Sequence, residues 1–178
     1  PEEHIQLMKD YLAAVELEER RMKDNTRVVL NGSFCEQPPL GLIKSIELAG
    51  CYIVDDDYIM ANRMITTDIA TEGDPLENIA YAFLTDSMPF PSKFEPSEEE
   101  KGLYLADYVR KAGAEGVIFA AASFCDPALL DQPLLHHVLD DQKIPYIAFQ
   151  FAENSGQMQP IREQAGTFAD SIKLWSAA

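Results

Sequence analysis

The chain is poor in cysteine and in positive charge, and it has no long apolar run. Its three cysteines among 178 residues form no CxxC pair and no dense framework, which fits reduced thiols rather than a disulfide scaffold. No stretch reaches the roughly 18–20 apolar residues of a membrane helix, and the opening PEEHIQLMKDYL lacks the basic and apolar regions of a signal peptide. A cytoplasmic chain without a membrane partner is therefore expected. Fourteen Lys and Arg against 30 Asp and Glu leave a net charge of −16, which argues against nucleic acid as a ligand because phosphate neutralisation needs a basic surface. The excess serves solubility, or meets a more basic partner subunit. Neither a GxGxxG turn nor a P-loop Gly-Lys-Ser/Thr occurs, so the sequence carries no dinucleotide signature and no P-loop. A start at Pro1 rather than Met points to a processed chain or a piece of a longer one.

What is present suits one globular domain. Apolar residues make up 47% of the chain, enough for a sizeable core. Ile5, Met8, Tyr11, Leu12, Val15, Leu17 and Met22 recur at helical spacing, predicting an amphipathic helix over 1–24 that packs on a single α/β domain of residues 25–178. RVVLNG (27–32) predicts a buried strand, Pro39 opens a helix that Gly50 ends, and CYIVDDD (51–57) is a second strand. Residues 58–87 read as two helical pieces broken near TEGDP, with Pro75 in the first turn of the second. SMPFPSKFEPSEEE reads as a surface crossing or lid that ends in a capping box at Ser97 and Glu100. A helix over 97–112, a strand GVIFAAAS, a helix over 127–141, a strand PYIAFQF and a closing helix over 159–175 complete the chain. This alternation predicts a Rossmann-like three-layer α/β lobe around a four-stranded parallel sheet of order 2-1-3-4.

One phrase occurs twice, GSFCEQPPL at 32–40 and ASFCDPALL at 122–130. In order 2-1-3-4 the first and third strands are neighbours whose chains leave in opposite directions, the switch point at which open α/β sheets bind ligands. Cys35 and Cys125 therefore face one crevice, with Phe34, Ser123 and Phe124 beside them. Asp126 is expected to cap the following helix and Pro127 to open it, placing the Cys125 sulfur at a helix N-terminus that favours thiolate. Cys51 starts the second strand on the opposite rim and reads as a buried core thiol. Ser155, Gly156 and Gln157 follow the fourth strand at the crevice edge, with Arg162 beyond them. They read as hydrogen-bonding groups for a ligand or as an ordinary helix cap. Asp55, Asp56 and Asp57 read as an acidic loop capping a helix, with magnesium the less favoured alternative. His4, His136 and His137 read as surface residues. Two cysteines alone make neither a zinc nor an iron–sulfur site, so further ligands would come from outside this lobe.

Three stretches, GSFCEQPPLGLIKSIELAGCYIVDDD, AEGVIFAAASFCDPALLDQPLL and ENSGQMQPIREQAGTFADSIKLW, resemble the C-terminal part of the 2-hydroxyacyl-CoA dehydratase and benzoyl-CoA reductase family, on its benzoyl-CoA reductase branch. The resemblance covers nearly all of 27–176. It implies a longer subunit of two α/β lobes with a 4Fe-4S cluster held by cysteines of both, facing an acyl-CoA cleft near a homologous partner subunit. It makes Cys125 the ligand from this lobe and Cys35 a second ligand or a neighbour of the cluster. It implies reductive dearomatisation of benzoyl-CoA to a cyclic dienoyl-CoA, with ATP used by separate electron-donor subunits. Without its other lobe the chain is expected to be inactive and cluster-free.

Three other readings stay open. The lobe of a 2-hydroxyacyl-CoA dehydratase would share the fold and cluster but eliminate water without net reduction. A non-catalytic α/β module would use the two cysteine loops as a small-ligand pocket. A thiol enzyme with Cys125 as nucleophile would need a histidine base that the sequence does not place.

Overall fold

The stretches RVVLNG and GVIFAAA lie side by side at the centre of the sheet. The computed structural model describes residues 1–32, 38–58, 66–86, 98–152 and 158–176, the side chains at 98–101 and 176 excepted. Strands β1 (Thr26–Gly32), β2 (Cys51–Asp56), β3 (Gly116–Ala122) and β4 (Tyr146–Phe151) form one parallel sheet of order β2-β1-β3-β4, the predicted order. Around it, among the described residues, lie α1 (Glu2–Glu16), α2 (Leu40–Leu48), α3 (Pro75–Thr85), α4 (Glu98–Lys111), α5 (Asp126–Asp141) and α6 (Met158–Ser176).

Strand alternation sorts the core into two layers. Val28, Leu30, Ile118, Ala120 and Phe149 face α2 and α6, where Leu42, Ile46, Phe168 and Ile172 cover them. Val29, Val117 and Phe119 face α4 and α5, meeting Leu105, Ala106, Val109, Leu135 and Leu139. Burial on both faces explains why β1 and β3 read as continuous apolar runs rather than alternating ones. Helix α4 approaches α5 closely at Gly102, where a Cβ would sit 2.6 Å from Val138 Cβ.

Several predicted elements differ in extent. The first helix stops at Glu16 rather than near 24, because Glu18, Glu19, Arg20 and Arg21 offer no apolar stripe to extend it. None of its residues is buried, and Ile5, Met8, Tyr11 and Leu12 are all exposed. Of the first of the two predicted helical pieces, 59–65 lies outside the described residues and 66–70 is irregular, while the predicted break near TEGDP is irregular as expected. Thr66 N instead donates to Asp86 O (3.1 Å), and Asn78 Nδ2 donates to Ala70 O (2.9 Å) and Glu72 O (2.8 Å). The second piece starts as its sequence indicates, with Pro75 in the first turn and Asp74 accepting from Leu76 N and Glu77 N. The predicted lid and its Ser97 cap lie outside the described residues.

His137 is exposed as predicted, but His136 is not a plain surface residue. Its ring stacks on Tyr146 (centroids 4.3 Å, planes 20° apart) and meets the edge of Phe119 at 4.7 Å. Burial lowers its pKa from the ordinary imidazole value, and the nearby Asp140 carboxylate opposes that shift. Because the folded chain favours neutral imidazole, this site's contribution to stability is present above the unfolded pKa and is lost as pH falls below about 6.5. Thermal melts at pH 7.5 and 5.5 should show a smaller acid loss for His136→Phe, which keeps the stack, than for the native sequence. Equal acid losses in the two proteins would remove His136 from this role.

Candidate functional site

At the switch point β1 and β3 run so close that no side chain fits at position 32. A Cβ on Gly32 would overlap the Ala120 carbonyl oxygen and lie 2.9 Å from its carbon. From here the chain leaves β1 toward α2 on one face and β3 toward α5 on the other. These opposite departures make the carboxyl ends of β1 and β3 a topological switch point.

The β3–α5 turn is tight and strained. Ser123 N donates to Phe151 O (2.7 Å), tying the turn to β4, and Cys125 N donates back to Ala122 O (3.0 Å). That closure places Phe124 at a left-handed φ of 67°, a conformation that costs a non-glycine residue roughly 1–2 kcal/mol. Its ring is 94% exposed, so packing within the lobe does not offset the strain. Cys125, rather than Asp126, is the N-cap of α5; its side chain makes no capping bond, and its carbonyl accepts from Leu129 N (3.1 Å). The reason is that the tight turn brings the chain into helical geometry one residue earlier than Pro127 alone would dictate. The Cys125 thiol is half-buried at the head of α5, with Asp126 in the first turn.

Of the other predicted site residues, Ser123 lies half-buried in the same turn, whereas Phe34, Cys35, Ser155, Gly156 and Gln157 lie outside the described residues. Arg162 is exposed on α6. Cys51 is fully buried at the amino end of β2, 3.9 Å from Ala165 O. Burial pushes its thiol up to about 11, with Lys173 partly opposing the shift.

Of the acidic run at 55–57, Asp56 Oδ1 accepts from Tyr58 N (3.1 Å), and the stretch that a cap would serve, 59–65, lies outside the described residues. A bulge opposite Val28 and Val29 shifts the register of β2, so that Asp55 and Asp56 pair with Val29 and Leu30, and Asp57 then turns inward with its N–H on Leu30 O (3.2 Å). Asp57 is fully buried, and its carboxylate accepts from Asn31 Nδ2, from Gly32 N (3.3 Å) and from Tyr104 OH (2.9 Å). Tyr108, one turn along α4, donates to Asp56 O (2.7 Å). Burial raises the Asp56 carboxyl and, with Asp55 nearby, holds the Tyr108 hydroxyl protonated. The signals available in sequence were a polar Asn ending an apolar strand and two tyrosines four apart on a helix. A cleft of about 640 Å³ lies beside this network, lined by Asp55, Asp86, Tyr104, Tyr108 and Lys111 among others. No residue of the Cys125 turn lines it.

Among the described residues no group of three or more His, Cys, Asp and Glu converges on a point that could hold a metal ion. The described donors at the crevice amount to one thiol, Cys125, because Cys51 is on the far rim. They do not by themselves fit a four-iron cluster, which needs three or four ligands.

A doubly wound α/β lobe with a cysteine turn at its switch point is the architecture that sequence comparison then places. Residues 1–172 match the family described as 2-hydroxyglutaryl-CoA dehydratase, D-component, and the chain belongs to that family. It is 62% identical over 98% of its length to the C subunit of benzoyl-CoA reductase from Thauera aromatica. It is 24% identical over 96% of its length to the lactoyl-CoA dehydratase beta subunit of Anaerotignum propionicum, and 27% over 84% to the (R)-2-hydroxyglutaryl-CoA dehydratase beta subunit of Acidaminococcus fermentans. The chain covers 45%, 45% and 39% of those three relatives, less than half of each. Among the described residues no helix is long and apolar enough to cross a membrane.

The burial contrast gives a thiol-labelling expectation. With iodoacetamide at pH 8, Cys125 of the folded chain should label readily while Cys51 stays protected until denaturant is added. Peptide mass spectrometry showing Cys51 labelled as fast as Cys125 under native conditions would contradict the buried position.

Proposed function

We propose that the chain is the C-terminal lobe of a C-type (gamma) subunit of an ATP-dependent benzoyl-CoA reductase. The observation that carries this reading is the gradient of identity: 62% to a benzoyl-CoA reductase C subunit, against 24% and 27% to the dehydratase beta subunits. In the complete enzyme two electrons and two protons would add to the thioester-activated ring, giving a cyclic dienoyl-CoA. An iron–sulfur cluster, when bound, would supply the low-potential electrons, and ATP would be hydrolysed by partner subunits, consistent with the absence of a P-loop here.

Within that enzyme this lobe presents residues at the crevice rather than performing the reaction alone. Cys125 offers one thiolate of a ligand set completed elsewhere, with Cys35 as a second ligand or a neighbour. The first-turn amides of α5 place partial positive charge beside the Cys125 sulfur. Phe124 faces outward as an apolar surface for the acyl group or its ring, while Ser123, Phe34, Ser155, Gly156 and Gln157 serve the same acyl-CoA site. The strain at Phe124 supports this assignment, since left-handed non-glycine residues with no packing reward are concentrated at functional sites. A dehydratase lobe is the second reading, favoured by the description of the family itself.

The deciding experiment uses the full-length subunit assembled with its partner under anaerobic conditions. Iron analysis and electron paramagnetic resonance should show one cluster lost on Cys125→Ser, and benzoyl-CoA turnover should consume reductant. Unchanged iron would remove Cys125 as a ligand, and redox-neutral dehydration of a hydroxyacyl-CoA would establish the dehydratase reading instead. Phe124→Gly should keep or raise the melting temperature, by up to about 1 kcal/mol of stability, while weakening benzoyl-CoA binding. A variant that melts lower and binds normally would make Phe124 a structural residue.

A further inference from the structure

We propose that α3 is a docking helix for a partner subunit whose contacting surface is an apolar groove rimmed by Lys and Arg. This deepens the proposed function, because it rests on the chain being one subunit of a larger enzyme.

Leu76, Ile79, Ala80, Phe83 and Leu84 recur at the spacing i, i+3, i+4, i+7 and i+8, which gathers them on one side of the helix. A helix that serves only its own domain turns such a side inward. In α3 the contacts with the rest of the lobe come from the opposite side. There Asn78 Nδ2 donates to Ala70 O (2.9 Å) and Glu72 O (2.8 Å), Ala82 is buried, and Thr85 lines the cleft beside α4. The apolar stripe is left outward, with Leu76 78% exposed, Leu84 65% and Ile79 48%, while Phe83 within it is half-buried. Anchors at this spacing are what a groove takes from an amphipathic helix, and an apolar patch with a polar border marks such a contact.

Charge states the chemistry of the occupant. Residues 66–86 carry Asp68, Glu72, Asp74, Glu77 and Asp86 and contain no Lys, Arg or His. At about 3.6 residues per turn, Glu77 falls on one flank of the stripe and Asp86 on the other. A second copy of this chain would set these carboxylates against their own kind, which disfavours a self-paired α3. An anionic lipid surface or a nucleic acid would be repelled in the same way. A groove with basic side chains along its lips matches both parts at once, its floor taking the leucines and its rim the acids.

The test uses the full-length subunit and its purified partner subunits, added singly, with affinity and association rate read by surface plasmon resonance. Leu76→Gln with Leu84→Gln keeps good helix formers at both positions and removes the anchors. This pair should weaken binding of one partner on the order of tenfold or more, and leave the melting temperature of the free subunit at its native value, since both side chains are exposed. Asp68→Lys with Glu77→Lys leaves the stripe intact. It should slow association with that partner severalfold at low salt and flatten the dependence on ionic strength. Native affinity for every partner in the Gln pair would overturn the proposal. Loss of binding in the Gln pair with no response to the Lys pair or to salt would overturn the basic rim, and a free subunit whose self-association the Gln pair abolishes would make the occupant a second copy. If the Gln pair does not fold, hydrogen exchange decides on the native sequence: amides of 79–85 should slow when the partner binds, and unchanged exchange would sink the proposal. An assembly that dehydrates a hydroxyacyl-CoA would defeat the reductase reading, whereas these binding measurements judge α3 whichever reaction the assembly performs.

Discussion

The pairing of β1 with β3 is the contact on which the rest of the lobe depends. Both strands are covered on both faces, so their peptide groups have no water to turn to and must bond to each other and to the flanking strands. Every core layer rests on them. Val28 and Ile118 support α2 and α6, while Val29 and Phe119 support α4 and α5. The same pair sets the position of the switch point, since the chain leaves these two neighbours toward opposite faces. The close approach of Gly32 to Ala120 is therefore a constraint on the fold and on the site at once.

The parts of this arrangement legible in sequence were those governed by pattern. Apolar runs bounded by glycine and proline located the strands, and their alternation with helices pointed to a parallel sheet, of which 2-1-3-4 is one of the few orders that right-handed crossovers allow. Proline at 75 and 127, with Asp74 before the first, marked two helix starts to within a residue. What pattern did not carry was geometry that depends on contacts distant in sequence. Asp57 looked like one of three solvated acids, and only its three-dimensional neighbours, from β1 and from α4, make it a buried acceptor. Phe124 carries no sequence sign of left-handed backbone, because glycine or asparagine is the usual occupant of such a turn. His136 was read as a surface residue from its place within the helix after Cys125. The stack on Tyr146 comes from β4, which periodicity within one helix does not reveal.

The candidate site was legible in part for the same reason. The repeated Ser-Phe-Cys phrase pointed to the switch point from sequence order alone, and the β3 copy is where that reading placed it. Its detailed form required the turn itself: a cap at Cys125, a tie from Ser123 to β4 and an outward aromatic ring. The residues assigned to 33–37 and 153–157 lie outside the described chain, so their place in the site rests on the strand ends that bracket them.

The two rims of the sheet differ in the surroundings of their described cysteines. At the amino rim Cys51 is buried, protonated and packed, an arrangement that favours stability and offers no chemistry. At the carboxyl rim lie a left-handed Phe124, a buried charge at Asp57, a burial-raised Asp56 and a strand end with no room for a side chain. Each of these is a feature that a lobe selected only for stability would replace, by glycine at 124 or by an apolar residue at 57. Left-handed backbone at Lys143 (φ 56°) and the close approach of Gly116 to Pro145 O show that strain and tight packing occur at the amino rim as well. What sets the carboxyl rim apart is the combination of a fully buried acceptor, Asp57, and an exposed ring on left-handed backbone, Phe124, at the end of the sheet that also carries the half-buried Cys125.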